Sequence, residues 1–487
     1  MSANHDDFTP DDLTAPAPPP RRPRRFRLGW IALGLLLALV VAFFIWRSHA
    51  SNRLEAEIKR IEAAGEPLHP RDFNDTPVPD ADNAARLYEE AAAGLKLTKR
   101  ADKLLNDCVD AARAGEPMAS TCGLLVQSRG ELLDLLRAAR SRPRVYWSLQ
   151  YNTPLIDLAM PRLAAHRELT KLLRLKAQVD HDRGADAEFI RDLEDILALA
   201  DAIDHQPTLI AHLIATAANE NALGAIETTA PFLAVTADAN ATSNGPASRA
   251  SVEQLIATLL DDAYLADGLK RSFEFERAIQ LDCTLIFAEG RFGNMSGANS
   301  LKQLRSPLPW LTAPLFKLDG VSMLEYMAHE IEAVQEPTYA AYQACIGKYP
   351  APPWVASSST WVKVQHFLAT IIMPSLQRAV VLHYRLLALR RLAAVALAVR
   401  LYAVDHGARP AALADLVPDY LAAIPADPFS SNGVILYAPE DAHPHLYSVG
   451  VNGVDDGGAF TFKRESIDYD GPDLPFFLDT VPQPGDE

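Results

Sequence analysis

The sequence predicts a mainly α-helical protein with a single N-terminal transmembrane helix and a small α+β module at its C-terminal end. Three observations predict this fold class: a charge-free apolar run near the N-terminus, apolar residues that recur at helical spacing through the middle of the chain, and a series of short motifs rich in Pro, Asp and Gly after residue 404. The 487 residues carry a formal charge of −16, so no nucleic-acid partner is expected. Apolar residues make up 49 % of the chain, which is enough to bury a core.

The first element is a transmembrane helix over residues 28–46. These 19 residues carry no charge, and at about 1.5 Å per residue they span the roughly 30 Å hydrocarbon layer of a bilayer. Five arginines between positions 21 and 27 precede the run. The positive-inside rule therefore keeps the N-terminus in the cytoplasm and the bulk of the chain outside, at the cell inner membrane. The alternative is a signal peptide cleaved after Ser48-His49-Ala50, which the length of the run and the charge of Arg47 disfavour.

The chain is expected to cross the membrane once. Residues 1–27 contain six prolines and predict a disordered cytoplasmic tail. The later apolar stretch from Phe367 to Val404 is interrupted by five arginines, each of which costs roughly 2.5–3.5 kcal/mol at a bilayer centre. That stretch is therefore predicted to be a helix in the water-soluble part of the protein.

Residues 47–233 are predicted to form a helical domain of antiparallel helix pairs, either a bundle or a solenoid-like stack. Apolar residues such as Leu169 and Leu172 recur at three- and four-residue steps, which places them on one helix face. Turns are expected at residues 182–184 and 205–207, where Gly and Pro occur. Core packing is the expected role of the apolar face, and a ligand groove is the alternative.

Two stretches interrupt this pattern. Residues 234–251 are rich in Ala, Ser, Thr and Asn and predict a linker to a second helical block over residues 252–375. Inside that block, residues 289–314 hold several glycines and prolines and predict an irregular surface loop. Its glycines lack the spacing of a nucleotide-binding loop, so its suggested role is the rim of a cleft.

The four cysteines are interpretable if the bulk of the chain lies in an oxidising compartment. Cys108 and Cys122 are 14 residues apart on either side of a predicted turn, so they are the nearest candidates for a disulfide. Cys283 and Cys345 would then form the other pair. Four cysteines allow three connectivities, and four buried thiols are the alternative. Zinc is not expected, because close Cys and His spacing is lacking.

No catalytic motif was found in the sequence. Glu325, His329 and Glu332 fall on one helical face and would present two carboxylates and an imidazole to a metal, unless they form a solvated surface. Glu274 and Glu276 suggest acid/base chemistry, although surface salt bridges explain them equally well. An enzyme is therefore not favoured, and the alternative is an extracytoplasmic hydrolase with an acidic cleft between helices.

The C-terminal part carries a set of motifs in a recognisable order. A long helix over residues 376–404 ends near Gly407 and is followed by four motifs: Leu416-Val417-Pro418-Asp419-Tyr420-Leu421, Ile424-Pro425, Asp427-Pro428-Phe429 and Leu446-Tyr447-Ser448-Val449-Gly450-Val451-Asn452-Gly453. Over about residues 379–460 this order resembles the C-terminal half of the major pseudopilin of type II secretion systems. The resemblance implies a helix packed on a small antiparallel sheet within a module over residues 376–487.

The same resemblance implies a calcium site in the loop that follows the last motif. Its ligands would be the backbone carbonyls of Val449 and Val454, the side chain of Asn452, and a carboxylate from Asp455 or Asp456. Calcium binds about 6–8 oxygen atoms, and a turn rich in Asn, Asp and Gly supplies them. Asn452 stands where the family has aspartate, and a calcium-free turn is the alternative.

The N-terminal end departs from the pseudopilin pattern. In that family an apolar helix follows a cleavage glycine and bears glutamate at its fifth position, whereas here the position counted from Trp30 is Gly34. Processing and polymerisation into a pseudopilus are therefore not expected. The remaining layout resembles membrane-anchored bacterial envelope proteins. The sequence thus predicts a non-catalytic binding or scaffolding protein, with envelope or secretion-system proteins as partners.

Overall fold

The computed structural model describes residues 25–116, 118–155, 158, 160, 162–238, 242–291, 309–463, 466–468 and 471–482. Most of these residues are helical. The predicted tail up to residue 24 and residues 292–308 of the predicted loop lie outside these ranges. The helices are α1 Arg25–Ala63, α2 Ala84–Gly94, α3 Lys99–Arg113, α4 Ser120–Gln127, α5 Gly130–Arg140, α6 Leu163–Asp182, α7 Asp186–Asp204, α8 Leu209–Thr229, α9 Arg249–Leu260, α10 Ala263–Glu289, α11 Pro309–Ala333, α12 Tyr339–Ile346, α13 Pro353–Ala356, α14 Thr360–Gln365 and α15 Phe367–His406.

The apolar run predicted to span a membrane forms the first part of α1. Among the described residues, α1 is the one helix that is both long and apolar enough to cross a bilayer, although a signal sequence would meet the same criterion. Its apolar residues up to Ile45 are largely exposed, whereas Ala50, Leu54 and Ile61 in its second part are buried. This second part packs against α11, and Leu54 and Ile61 join a small apolar cluster with α10 and α11.

The helices α6, α7 and α8 form the centre of the helical body and pack against one another. The predicted turns are confirmed, because α6 ends at Asp182 and α7 ends at Asp204. Gly184 adopts φ +75°, a left-handed conformation that favours glycine. Thr208 caps α8 by accepting the N–H of Ala211 at 3.1 Å. The predicted apolar residues Leu169 and Leu172 are buried, which fits core packing.

The predicted linker over residues 234–251 is shorter than expected. A two-residue strand β1 (Val235–Thr236) pairs in parallel with β2 (Ala247–Ser248), and α9 begins directly afterwards at Arg249. Ser248 caps α9 by accepting the N–H of Ser251 at 3.1 Å, which explains why the helix starts there.

The predicted irregular loop is also shorter at both ends. The helix α10 ends at Glu289, where Gly290 adopts the left-handed conformation at φ +69°. The helix α11 begins at Pro309, a residue whose fixed φ suits the first turn of a helix. Residues 309–314 are therefore helical rather than irregular.

The last helix, α15, starts nine residues before the predicted position 376 and ends as predicted, at His406 with Gly407 at φ +75°. It packs against a three-stranded antiparallel sheet in the order β3 (Leu436–Ala438), β4 (His445–Ser448), β7 (Leu474–Phe477). A separate hairpin joins β5 (Phe462–Lys463) to β6 (Ser466–Ile467). In this region one helix therefore lies against a small antiparallel sheet.

The cysteines divide into one disulfide and two thiols. Cys108 near the end of α3 is bonded to Cys122 at the start of α4, with Cα atoms 6.0 Å apart, so the first predicted pairing is confirmed. The second is wrong: Cys283 on α10 and Cys345 on α12 are both buried and do not form a disulfide. Each sits on a different helix of the apolar core, where a small thiol packs like an apolar side chain.

Candidate functional site

The loop predicted to bind calcium follows strand β4 and comprises residues 449–458. Its course is set by glycines, because Gly450 and Gly453 adopt φ values of +63° and +67° that other residues rarely take. Gly453 donates its N–H to the carbonyl of Gly450 at 3.1 Å and closes a tight turn. A Cβ atom on Gly450 would lie 3.0 Å from the carbonyl oxygen of Pro472, so the space is limited as well.

A buried aspartate attaches the start of this loop to an earlier motif. Asp427 is 0 % exposed, and its Oδ1 accepts the hydroxyl of Ser448 at 2.7 Å and the N–H of Phe429 at 2.9 Å. Its Oδ2 accepts the N–H of Val449 at 2.8 Å. One carboxylate therefore joins the Asp-Pro-Phe motif to the loop. The motif is recognisable in the sequence, but the role of Asp427 in holding the loop is visible only in the fold.

Four of the five predicted calcium ligands lie on the surface, and only Val449 is buried. Asn452 accepts the N–H of Val454 at 2.9 Å through Oδ1 and donates through Nδ2 to Asp456 at 2.8 Å. Asp455 accepts the N–H of Gly457 at 2.9 Å. The polar side chains of the loop thus hold its backbone in a curl, as Asx turns do.

A second buried aspartate holds the other end of the loop. Its role was not predicted from the sequence. Asp473 is 1 % exposed and accepts the N–H of Gly458 at 2.8 Å and of Asp456 at 3.4 Å. Burial raises the pKa of Asp473, and the charges of Asp455 and Asp456 raise it further, against the two N–H groups that lower it. The position of Asp473 directly before β7 was its only sequence signal.

The donor set of this loop suits calcium in chemistry, since carboxylate and carbonyl oxygens are the ligands that calcium takes. The carboxylates of Asp455, Asp456 and Asp473 concentrate negative charge at one side of the loop. Within the described ranges, however, no group of three or more His, Cys, Asp or Glu side chains is placed to hold a metal ion. The oxygens are instead engaged by N–H groups of the loop itself.

The helical trio on α11 divides between two neighbours, Arg53 and Tyr349. Glu325 pairs with Arg53 of α1 at 2.8 Å, and both side chains are about half exposed. The ring of His329 stacks on that of Tyr349, and the Tyr349 hydroxyl donates to Glu332 at 3.0 Å. Partial burial lowers the pKa of His329, which favours its neutral form. These contacts connect α11 to its neighbours, and they agree with the alternative of a polar surface.

The acidic residues on α10 are also separate from one another. Glu274 has a raised pKa because of burial, partly offset by Lys270 and Arg277. Burial raises the pKa of Glu276 to about 7, and its carboxylate accepts the N–H of Leu209 at the start of α8. The dipole of α8 also favours a negative charge at this position, because Glu276 lies at the N-terminal end of that helix. Glu276 and Glu325 thus have different partners, Leu209 and Arg53.

Two small cavities are lined by other residues. One, of about 190 Å³, lies between the end of α8 and α15 and is bordered by Phe232, Arg400 and Arg409. The other, of about 220 Å³, is bordered by His69, Asp282 and other residues near α10. Neither is lined by a residue that the sequence analysis selected.

The chain was compared with known proteins in three ways. Comparisons with protein-family models, with curated proteins and with solved structures find no match to this chain.

Proposed function

We propose that the protein is anchored by α1 as a single-pass protein of a bacterial inner membrane, with its N-terminus in the cytoplasm and the rest of the chain outside. The helical body then offers a binding or scaffolding surface to envelope or secretion-system proteins, and no reaction is assigned to it. The retained anchor is the basis of the proposal, because it confines the body to the membrane surface where such partners lie.

The observation that carries this proposal is the continuity of α1. The helix passes from its exposed apolar part into the protein body without a break, so residues 48–50 are helical. Ala50 is 0 % exposed, and Leu54 and Ile61 follow it into the core. Proteolysis favours exposed and mobile segments, whereas this one is ordered and partly buried. The arrangement supports a retained anchor over a signal peptide cleaved after Ala50.

The disulfide supports the proposed location of the body. Disulfides persist in oxidising compartments such as the periplasm and are rare in the cytoplasm. The bond between Cys108 and Cys122 lies in α3 and α4, on the chain that follows α1. Its position is therefore consistent with a body outside the cytoplasm.

The C-terminal module supports a more specific part of the proposal. The packing of α15 on an antiparallel sheet, and the loop after β4, agree with a pseudopilin-like ending. In this proposal calcium binds the loop through the carbonyls of Val449 and Val454, Asn452, and Asp455 or Asp456. The negative charge around Asp473 supports it, since a divalent cation would offset the repulsion between neighbouring carboxylates.

The calcium proposal has a direct test in thermal unfolding. Millimolar calcium should raise the melting temperature of the full chain over that in chelator, because an ion that binds only the folded state stabilises it. The variant Asp456→Asn should reduce this shift, while the control Asp441→Asn, on the exposed turn before β4, should keep it. Identical melting curves of the unmodified chain with calcium and with chelator would remove calcium from the proposal.

The anchor and its orientation are tested with the protein in its membrane. The intact mass of the membrane-extracted chain should include residues 1–50, and a reporter fused after residue 487 should be active only outside the cytoplasm. Affinity capture of this material should recover envelope or secretion-system proteins. A chain shortened to start at Ser51, or a reporter active only in the cytoplasm, would contradict the proposal.

A further inference from the structure

The start of α11 lies beside the end of the apolar run in α1. The rings of Phe43 and Trp310 meet edge to face with their centroids 5.5 Å apart. Further along, Lys317 donates to the hydroxyl of Ser51 at 3.0 Å. The contacts advance together along both helices, so α11 runs in the same direction as α1 and away from its apolar run.

An unusual hydrogen bond connects the two helices at this level. The carbonyl of Trp310 would normally accept the N–H of residue 314, but that residue is Pro314, which has no N–H. The guanidinium of Arg47 donates to this carbonyl instead, at 2.8 Å. Arg47 is the first charged residue after the apolar run. The first turn of α11 is thus attached where the run ends.

The contact with Phe43 shows how far along α1 the ring of Trp310 lies. Phe43 precedes Trp46, the last residue of the run, by three positions, or about 4.5 Å along the helix axis. The Trp310 ring therefore reaches alongside the final turn of the apolar run. Trp310 is 53 % exposed and Leu311 is 44 % exposed, so the first turn of α11 leaves two large apolar side chains uncovered beside it.

We propose that the first turn of α11, at Trp310 and Leu311, is a second membrane contact that lies in the head-group region of the bilayer on the side of the protein body. This inference depends on the proposed anchoring by α1. Tryptophan is enriched at that depth because its ring is apolar and its N–H is polar. Continuity with the exposed apolar surface of α1 favours lipid over a protein partner as the occupant.

A second contact limits how the body sits on the membrane. A single transmembrane helix leaves the helix and the attached body free to tilt together relative to the bilayer. Two contacts joined by the Arg47 hydrogen bond and the buried cluster of α1, α10 and α11 hold the body in one orientation. The face that it presents to partners is fixed as a result.

The experiment places an environment-sensitive fluorophore on single cysteines of the full-length chain in vesicles of phosphatidylethanolamine and phosphatidylglycerol. Leu311→Cys is the test position and Leu36→Cys, within the run, is the anchor control. Glu55→Cys is the aqueous control, because its side chain is exposed and lies nine residues, or about 14 Å, beyond Trp46. The native Cys283 and Cys345 are buried, and the disulfide protects the other two cysteines.

Nitroxide lipids that carry the quencher either at the head group or deep in the acyl chain measure the depth of each label. We expect the label at position 311 to be quenched by the head-group nitroxide, that at 36 by the deep nitroxide, and that at 55 by neither. If position 311 is unquenched while position 36 is quenched, the second contact is wrong and the anchor stands. If position 36 is also unquenched, the anchor itself is wrong.

Discussion

The two longest helices in the described part of the chain have nearly the same length but opposite surroundings. The helix α1 has 39 residues and α15 has 40, and both contain long apolar stretches. The apolar part of α1 is largely exposed, whereas apolar residues of α15 such as Leu392, Val395 and Leu397 are fully buried. Apolar content alone therefore does not distinguish a helix that faces lipid from one that fills a protein core.

The arginines of α15 explain the difference, because four of the five bond to partners in the protein. Arg385 pairs with Glu220 at 2.6 Å, and Arg391 pairs with Asp262 at 2.9 Å. Arg400 donates to the carbonyl of Leu233 at 2.8 Å. In lipid such charges would be costly, whereas here neighbouring helices compensate them. The charge-free run at residues 28–46 of α1 and the paired charges of α15 are thus two solutions for a long apolar helix.

The largest expected effect comes from removing a buried charge of α15. Arg390 is 0 % exposed and donates to Asn219 Oδ1 at 2.8 Å and to the carbonyls of Leu259 and Thr258 at 3.2 and 2.7 Å. These carbonyls lie at the end of α9. The variant Arg390→Ala would leave Asn219 Oδ1 and the Leu259 carbonyl buried without this donor, so we expect a loss of about 3–5 kcal/mol in the free energy of unfolding.

Chemical denaturation of the full chain in detergent measures this loss. Arg378→Ala on the same helix is the matched control, because Arg378 is exposed and its removal should change the free energy of unfolding by less than about 0.5 kcal/mol. Equal effects of the two variants would contradict the role assigned to the partners of Arg390.

The difference between α1 and α15 was largely predictable from sequence, because it depends on the positions of charged residues along each helix. The charge-free run and the arginines between residues 378 and 400 are visible without a structure. The end of α15 at Gly407 was predictable for the same reason, as glycine readily takes the left-handed conformation there. The partners of Arg390 were not, since Asn219 and Leu259 are distant from it in sequence and only tertiary packing brings them together.

The candidate site was predictable only in part, for a related reason. The motif over residues 446–453 located the loop after β4, and its glycines account for the turn. Asp427 and Asp473, which hold the loop from two sides, were not selected, because a single aspartate in sequence does not indicate which backbone N–H groups it will meet. The pairing of Cys283 with Cys345 failed similarly, since the second pair was assigned by elimination and their helices place them apart as thiols.

The second-largest expected effect comes from a charge placed in the apolar run of α1, and it tests whether lipid surrounds this run. Leu36 is 58 % exposed in the apolar run, and Leu124 on α4 is 64 % exposed in the body. The variant Leu36→Arg should lower the fraction of chain that resists alkaline extraction from membranes, since an arginine at a bilayer centre costs roughly 2.5–3.5 kcal/mol. Leu124→Arg, at a position of similar exposure, should leave that fraction unchanged. Resistance to extraction that is equal in both variants would show that α1 does not meet lipid.

The smallest expected effect concerns the sheet that packs against α15. The apolar run of α1 has no such sheet beside it in the described residues. Glu227 on α8 is buried and accepts the N–H of Phe477 in β7 at 3.0 Å, so it attaches the sheet to the helical body. Burial raises the pKa of Glu227 to about 7, although the hydrogen bond and the charge of Arg174 oppose the rise. Because this pKa is above the ordinary value of 4.5, the folded chain keeps a proton that the unfolded chain loses between pH 4.5 and about 7.

The contribution of Glu227 to stability therefore falls as the pH rises through that window and is constant above it. The variant Glu227→Gln keeps an acceptor for Phe477 but does not titrate. We expect the variant to match the unmodified chain near pH 4 and to exceed its free energy of unfolding near pH 8 by about 1–3 kcal/mol. Denaturation at a series of pH values measures the difference. A difference that is the same at every pH would mean that Glu227 is already ionised in the folded chain, and that the sheet is attached to the body by a charged group rather than a neutral one.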